Sequence, residues 1–298
     1  MIVILGPTAC GKTKLAIAVA NEISGEIISA DSRQVYRRMN IGTGKDLTEY
    51  EPGNNTIKYH LIDIVEPGYE YNLFQFQQDF HKAHQQIKKN GNRTILCGGT
   101  GLYLSAILDG YQLADVPINN ELRISLDNLT KDELVEQLKS YGPLHNSTNI
   151  TSHKRLVRAI EIAFYSKNNN VIKNTFPPIP AKIFGINIPR DALKDRITKR
   201  LKLRLEEGMI DEVKSLLNEG LTEEQLKYYG LEYKFITQYI KGDINKNELF
   251  QKLNTAIHQF SKRQMTWFRK MERDGHKIQW LDFDPDPKYL LPAILKRT

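Results

Sequence analysis

Gly6-Pro-Thr-Ala-Cys-Gly-Lys-Thr13 fits G-x-x-x-x-G-K-[ST] at every fixed position. A short apolar run, Ile2 to Leu5, precedes it, and Leu15, Ala16, Val19, Ala20 and Ile23 follow at helical spacing. Strand, glycine loop, helix is the order that a phosphate cradle needs. The glycines let backbone amides turn toward an anion, and the helix N-terminus adds the positive end of its dipole. Lys12 supplies a mobile charge, and the Thr13 hydroxyl suits Mg²⁺. Gly6, Pro7, Thr8, Ala9, Cys10, Gly11, Lys12 and Thr13 are therefore expected to hold a di- or triphosphate-like group. The motif does not say whose.

Working outward, Glu26 to Ala30 reads as a second buried strand that ends at Asp31-Ser32. Lys58 to Val65 reads as a third, closed by Glu66-Pro67-Gly68. Leu73, Phe76, Phe80, Ala83 and Ile87 recur at helical spacing, and Asn90-Gly91 stops that helix. Thr94 to Cys97 is another short strand, followed by Gly98-Gly99-Thr100-Gly101 and a helix from Leu102. Strands alternating with helices predict an α/β fold, a P-loop NTPase-like parallel sheet with helical cover. Ligands of such sheets sit beyond the carboxyl ends of the strands, which is where Asp31, Thr100 and the glycine loop fall.

Residues 115–152 are polar and carry one helical signature, the capping box Thr130-x-x-Glu133 before Leu134, Val135 and Leu138. They are expected to form a small helical insertion on the rim of a core made of 1–114 and 153–298. Ile183 to Ile188 reads as a late strand. Beyond Pro189 the chain reads as helical to about Gly275. The last long helix is expected to bury Leu249, Leu253, Ile257, Phe260 and Trp267.

The net charge of +7 is unevenly placed. Residues 182–298 carry 23 Lys and Arg against 17 Asp and Glu, while residues 1–181 carry 19 against 18. A basic last third fits a polyanionic partner as well as it fits a merely soluble surface. No apolar run approaches the ~20 residues of a membrane span. Four apolar residues running into a glycine loop make no signal peptide. The two cysteines, Cys10 and Cys97, suit a reducing cytoplasm.

Asp31, at a strand end near the glycine loop, suits either a proton acceptor or a water-mediated Mg²⁺ ligand; capping the next segment is the structural alternative. Asp63 is a weaker candidate for the metal side. Arg196, Arg200 and Arg204, spaced i, i+4, i+8, fit a phosphate clamp. On spacing alone, a solvated face paired with Asp195, Glu206 or Glu207 is the more economical reading. His81 and His84 lack further metal ligands and read as surface residues.

Several segments together resemble one family, the tRNA dimethylallyltransferases. After Gly6 to Thr13 come Ile28-Ser-Ala-Asp-Ser-Arg-Gln-Val-Tyr36, Ile41-Gly-Thr-Gly-Lys45 and His60-Leu-Ile-Asp63. Gly98-Gly-Thr-Gly-Leu-Tyr103 and Lys154-Arg-Leu-Val-Arg-Ala-Ile-Glu161 follow. Gly208-Met-Ile-Asp-Glu-Val213, Tyr229-Gly-Leu-Glu232 and Lys262-Arg-Gln-Met-Thr-Trp-Phe-Arg269 complete the series in family order.

The resemblance implies that the loop holds the pyrophosphate of dimethylallyl diphosphate with Mg²⁺ at Thr13. The prenyl group passes to the exocyclic amine of the adenosine 3′ of a tRNA anticodon. It implies Asp31 as the base, with Thr8 and Arg200 beside the pyrophosphate; Arg196 takes that place if the register is one turn different. It implies tRNA contacts from Asp31, Ser32, Arg33, Gln34, Thr100, Arg123, Lys154, Arg155, Leu156, Val157, Arg158, Tyr229, Gly230, Leu231 and Glu232. Arg263 and Arg269 on the basic last helix then grip the anticodon stem-loop. The expected species is a cytoplasmic monomer that engages no membrane. Departures from the pattern are Cys10 where Ser is common, Asp46 where Pro is frequent, the Tyr229-Gly-Leu order, a short insertion, and no Asp-Pro before Lys154. They bear on tRNA choice more than on chemistry. Rival readings are an adenylate isopentenyltransferase acting on free AMP, for which a basic helical region has less use, and a P-loop small-molecule kinase, for which no lid arginine cluster stands out.

Overall fold

The strands are short, and most are buried along nearly their whole length, as a sheet covered on both faces requires. They are β1 (Ile2–Leu5), β2 (Gly25–Ala30), β3 (Tyr59–His60), β4 (Arg93–Gly98), β5 (Lys182–Asn187) and β6 (Ile278–Asp282). The computed structural model describes residues 1–52, 55–144, 150, 152–169 and 176–297. Among the described residues the strands form one parallel sheet in the order β3-β2-β4-β1-β5-β6. In this register Leu5 pairs with Gly98, and Gly98 with Ala30. The carboxyl ends of β1, β4 and β2 therefore lie level, which sets the glycine loop, Gly99-Thr100 and Asp31 side by side.

Helices cover the sheet: α1 (Lys12–Ile23), α2 (Leu73–Lys89) and α3 (Gly101–Leu108) come from the first part of the chain. Asn72 and Gln75 close a reciprocal capping box at the start of α2. Next in the chain come α4 (Asn120–Asp127), α5 (Lys131–Lys139) and α6 (His153–Asn168), and the C-terminal part adds α7 (Arg190–Glu206), α8 (Met209–Asn218), α9 (Glu223–Tyr228), α10 (Leu231–Lys241) and α11 (Lys246–Arg273). No helix among the described residues is long and apolar enough to cross a membrane.

Residues 111–177 form a second compact unit, the remainder being the first. It contains α4, α5 and α6. The Thr130–Glu133 capping box starts α5 as its sequence predicts. The boundary differs from the sequence reading, which ends the insertion at 152. Leu156, Val157 and Ile160 of α6 complete one apolar cluster with Leu126, Leu134 and Leu138, so α6 belongs to this unit. Residues 145–149 and 151 of the expected insertion lie outside the described residues.

Three other expectations are corrected. The strand expected from Lys58 to Val65 stops at His60, because Leu61 and Asp63 adopt left-handed backbone (φ 62° and 54°). Phe260 is exposed; the buried stripe of α11 runs Leu249, Leu253, Ile257, Ser261, Gln264, Phe268, Met271. His81 is buried, and that burial pulls its imidazole down to about 4. His84 is half-buried, stacks on Phe80 and meets Thr94 Oγ1 at 2.8 Å. Both histidines brace α2 rather than face water. Beyond the helical region, which ends near Gly275 as read, the chain adds one strand that was not anticipated, β6.

Candidate functional site

The glycine loop is shaped by two left-handed residues, Ala9 (φ 64°) and Gly11 (φ 88°), the second being the N-cap of α1. A non-glycine in this region stores strain, which is typical of a ligand clamp. The first amides of α1 have no acceptor within the helix, so they are available to an anion. Lys12 lies folded back, its Nζ 3.5 Å from the Pro7 carbonyl. The Cys10 side chain is buried, and burial pushes its thiol up despite Lys12, Arg200 and Arg196 nearby. Only the backbone of Cys10 is left to meet a ligand.

The arginine stripe of α7 is no solvated face. Arg196 Nε donates to the Ala9 carbonyl at 2.8 Å, and Arg200 Nη2 donates to Thr8 Oγ1. Arg204 is buried, with Nη2 3.8 Å from the Asp46 carboxylate. Successive turns of one helix thus reach the adjacent loop residues Ala9 and Thr8 and the 44–46 segment. Burial and the neighbouring Arg204 pull the Arg200 guanidinium down to about 10, which leaves it a cation at neutral pH.

Asp31 stands at the carboxyl end of β2. Its Oδ1 accepts the Arg33 amide at 2.9 Å; Ser32 N donates to Thr100 Oγ1 at 3.2 Å, and Thr100 N to the Ala30 carbonyl at 3.2 Å. Asp31 therefore caps a turn, but with one oxygen; among the described residues Oδ2 has no hydrogen-bond partner. Ser29 Oγ and the Gly44 carbonyl hold Gln34 at 3.2 Å each, and the Arg33 guanidinium lies 5.0 Å from the Tyr228 ring centre.

Thr8, Ala9, Ser29 and Gln34 line one cavity of about 520 Å³, with Lys12, Lys14, Arg196, Lys199, Arg200 and Arg204 as cations and Asp31, Asp46, Glu49 and Glu207 as carboxylates; Ser32, Arg33 and Thr100 lie outside its lining. Thr13 lines it as well. A hydroxyl and separated carboxylates suit a divalent ion held largely by phosphate and water. The described residues contain no cluster of three or more His, Cys, Asp or Glu able to hold a metal alone. A larger cavity of about 640 Å³ opens at the opposite, amino ends of β1, β4 and β5 and has no carboxylate in its lining. The chemistry belongs to the smaller one.

Asp63 is committed elsewhere, to the buried Lys45 ammonium. Of the expected tRNA contacts, Lys154 and Arg155 are exposed in the second unit. Leu156 and Val157 depart from the expectation of a contact surface: both side chains are buried in that unit's core. Arg123 and Arg158 both pair with the buried Glu161 carboxylate, Arg123 through two 3.0 Å bonds. Tyr229 is buried against Tyr36, with ring centres 4.6 Å apart, and props the fold. Leu231 and Glu232 are half-buried, and burial raises the Glu232 carboxyl. Arg263 and Arg269 are exposed on α11.

Sequence reasoning missed Gln264. Its Oε1 accepts the Thr8 amide at 2.8 Å and its Nε2 donates to the Gly99 carbonyl at 2.9 Å, so α11 ties the glycine loop to the loop after β4. The available signal was a polar residue in register with an apolar stripe. Gly98, just before that loop, has no room for a side chain. A Cβ there would lie 2.5 Å from the Ala30 carbonyl carbon and overlap its oxygen. Gly98→Ala is expected to cost ~1–3 kcal/mol through forced separation of β2 and β4 and to displace Asp31 from the cradle. A thermal melt and a turnover assay check it; a parental melting temperature would refute the close approach.

The family model described as "IPP transferase" matches residues 34–271, and that for "Isopentenyl transferase" matches residues 1–62. A protein of Porphyromonas gingivalis named tRNA dimethylallyltransferase 2 is 56% identical, the match covering 98% of this chain and 95% of the relative. The tRNA isopentenylpyrophosphate transferase of Bacillus halodurans superposes with a TM-score of 0.71 at 30% identity, covering 99% and 95% of the two chains. The corresponding Staphylococcus epidermidis enzyme gives 0.69 at 30% identity, covering 100% and 99%. The chain belongs to the IPP transferase family.

Proposed function

We propose that the chain transfers a dimethylallyl group from dimethylallyl diphosphate to the N6 amine of the adenosine 3′-adjacent to the anticodon in tRNA, releasing diphosphate. The observation that carries this reading is the approach of two groups to one cavity: the Asp31 carboxylate and a phosphate cradle backed by Arg200. A carboxylate beside a phosphate cradle would serve a kinase as well; membership of the IPP transferase family favours an adenine amine as the nucleophile it serves. The lone pair of that amine is delocalised into the ring, so N6 becomes nucleophilic only as its proton leaves. The N6 pair forms a bond to C1 of the prenyl group, the C1–O bond breaks onto the diphosphate, and Asp31 takes the N6 proton. Loop amides, Lys12 and Arg200 balance the charge that builds on the leaving group. Thr13, together with phosphate oxygens and water, would hold Mg²⁺, which when bound would neutralise further charge on the leaving group. The target base leaves its stack to reach the cavity.

One chain brings cradle and carboxylate together, which is what a monomeric enzyme needs, and a tRNA substrate suits the cytoplasm. Lys154 and Arg155 on the second unit and Arg263 and Arg269 on α11 serve as phosphate contacts. Replacing both Arg263 and Arg269 with alanine is expected to reduce the slope of log affinity against log salt by about 1–2; an unchanged slope would place the RNA elsewhere.

The test is label transfer. Protein, Mg²⁺ and labelled dimethylallyl diphosphate are offered unmodified tRNA and, separately, AMP. Label in tRNA alone supports the proposal, and label in AMP moves the chain to the free-nucleotide class. Label in neither, with ATP consumed against a small acceptor, turns the reading to a kinase.

A further inference from the structure

Glu212 lies outside the cavity, yet its carboxylate collects four donors. Asn40 N and Ile41 N donate to Oε2 at 2.7 Å each, and Gly42 N and the Tyr233 hydroxyl donate to Oε1 at 3.0 and 2.7 Å. Three consecutive backbone amides converging on one carboxylate resemble an anion nest, here filled by the protein's own α8. The bonds are charge-assisted, the strong class. Burial and the Glu212 carboxylate push the Tyr233 phenol well up, so it stays a donor.

What these bonds fix is the start of the segment that walls the cavity. Gly44 N and Lys45 N close back on the Asn40 carbonyl at 2.9 and 3.0 Å. Thr43, Gly44 and Asp46 line the cavity. The Gly44 carbonyl accepts from Gln34, whose amide oxygen accepts from Ser29 on β2, two residues before Asp31. The far end is held by Lys45, which donates to the Tyr36 carbonyl at 2.5 Å and pairs with Asp63. Gly44 adopts φ 72°, and a Cβ there would run into the Arg204 guanidinium. The segment is thus suspended between two anchors, and Glu212 is the one at its start.

We infer that Glu212 is a positioning residue for the transfer reaction, holding residues 40–44 so that the cavity wall and Gln34 stand correctly beside Asp31. This rests on the prenyl-transfer reading. The glycine loop is untouched by Glu212, so the effect falls on turnover and not on diphosphate affinity. Misplacement of a wall by about 1 Å costs up to ~10²-fold in rate.

Glu212→Gln keeps size but leaves one acceptor oxygen and turns an amide NH₂ against an N–H donor. The variant is expected to exchange the Asn40, Ile41 and Gly42 amides at least about tenfold faster, as native-state opening becomes local. Its kcat is expected to fall roughly 10–10²-fold, with KM for dimethylallyl diphosphate and inorganic pyrophosphate affinity near parental. Glu212→Asp, which keeps the charge, should recover part of kcat. Tyr233→Phe removes one donor and leaves the three amides, so its loss should be smaller; it also stands in if Glu212→Gln fails to fold. Parental exchange at 40–42 overturns the inference, as does parental kcat alongside fast exchange. Joint loss of melting temperature, pyrophosphate binding and kcat makes Glu212 a fold stabiliser only, which also overturns it. If the parent protein itself labels no tRNA, the prenyl-transfer reading fails, while the exchange result still decides what Glu212 holds.

Discussion

Asp31→Asn is expected to lower turnover by roughly 10²–10⁴-fold with tRNA binding largely kept. Asparagine is the informative replacement because its side-chain oxygen still accepts the Arg33 amide, the bond that Asp31 Oδ1 makes. The turn after β2, the Ser32–Thr100 contact and the adjacent cavity wall therefore survive, and what disappears is the ability to take a proton. Alanine would remove the turn as well and mix two causes. Turnover is read from single-turnover label transfer with saturating tRNA and donor, and tRNA affinity from a separate binding isotherm. An asparagine variant that turns over at the parental rate removes the base assignment outright. A variant that loses rate and tRNA affinity together makes Asp31 a binding group instead.

The central architecture is legible because its signals are local. Ile2 to Leu5, the glycine loop and the Leu15 to Ile23 stripe each report on their own neighbourhood, and all three become the elements they predict. Position at a strand end brings Asp31 and Thr100 to the loop through the parallel register alone. What could not be read depends on contacts between segments far apart in sequence. Arg196, Arg200 and Arg204 have the spacing of an ordinary solvated helix face, and nothing in that spacing says that Thr8 and Ala9 lie opposite. Gln264 and Glu212 are likewise polar residues on amphipathic helices until the fold shows which backbone they hold. Leu156 and Val157 show the converse. They stand inside a basic run, Lys154 to Arg158, whose charges suggest an RNA face, while the apolar side chains between them turn to Leu126, Leu134 and Leu138. The left-handed residues Leu61 and Asp63 end β3: Asp63 turns to meet Lys45, and although aspartate tolerates that backbone, no Gly or Pro marks the break.

Arg200→Ala is expected to lower kcat by roughly 10²–10³-fold, the loss typical of removing one preorganised donor from a developing anion. The guanidinium is half-buried, remains charged, and spends one Nη2 bond on Thr8 Oγ1, while Gln264 fixes the Thr8 amide from the other side. Its remaining donors are thus held at the lip of the glycine loop before any substrate arrives, which makes their stabilisation of charge cheap in reorganisation. Charge on the diphosphate grows as the C1–O bond breaks, so the interaction strengthens along the reaction. The loss should therefore appear in kcat more than in donor affinity. Lysine carries the charge but not the fork: one ammonium cannot hold Thr8 and meet a phosphate oxygen in the same geometry. Arg200→Lys should accordingly recover only a small part of the rate. Thr8→Val provides the complementary test, because it leaves the guanidinium charged but unanchored; a smaller loss than Arg200→Ala is expected, with inorganic pyrophosphate affinity nearly unchanged. If Arg200→Ala instead raises KM for dimethylallyl diphosphate while kcat stays parental, Arg200 binds the ground state as well as the transition state. The charge on the leaving group is then carried by Lys12, Mg²⁺ and the loop amides alone.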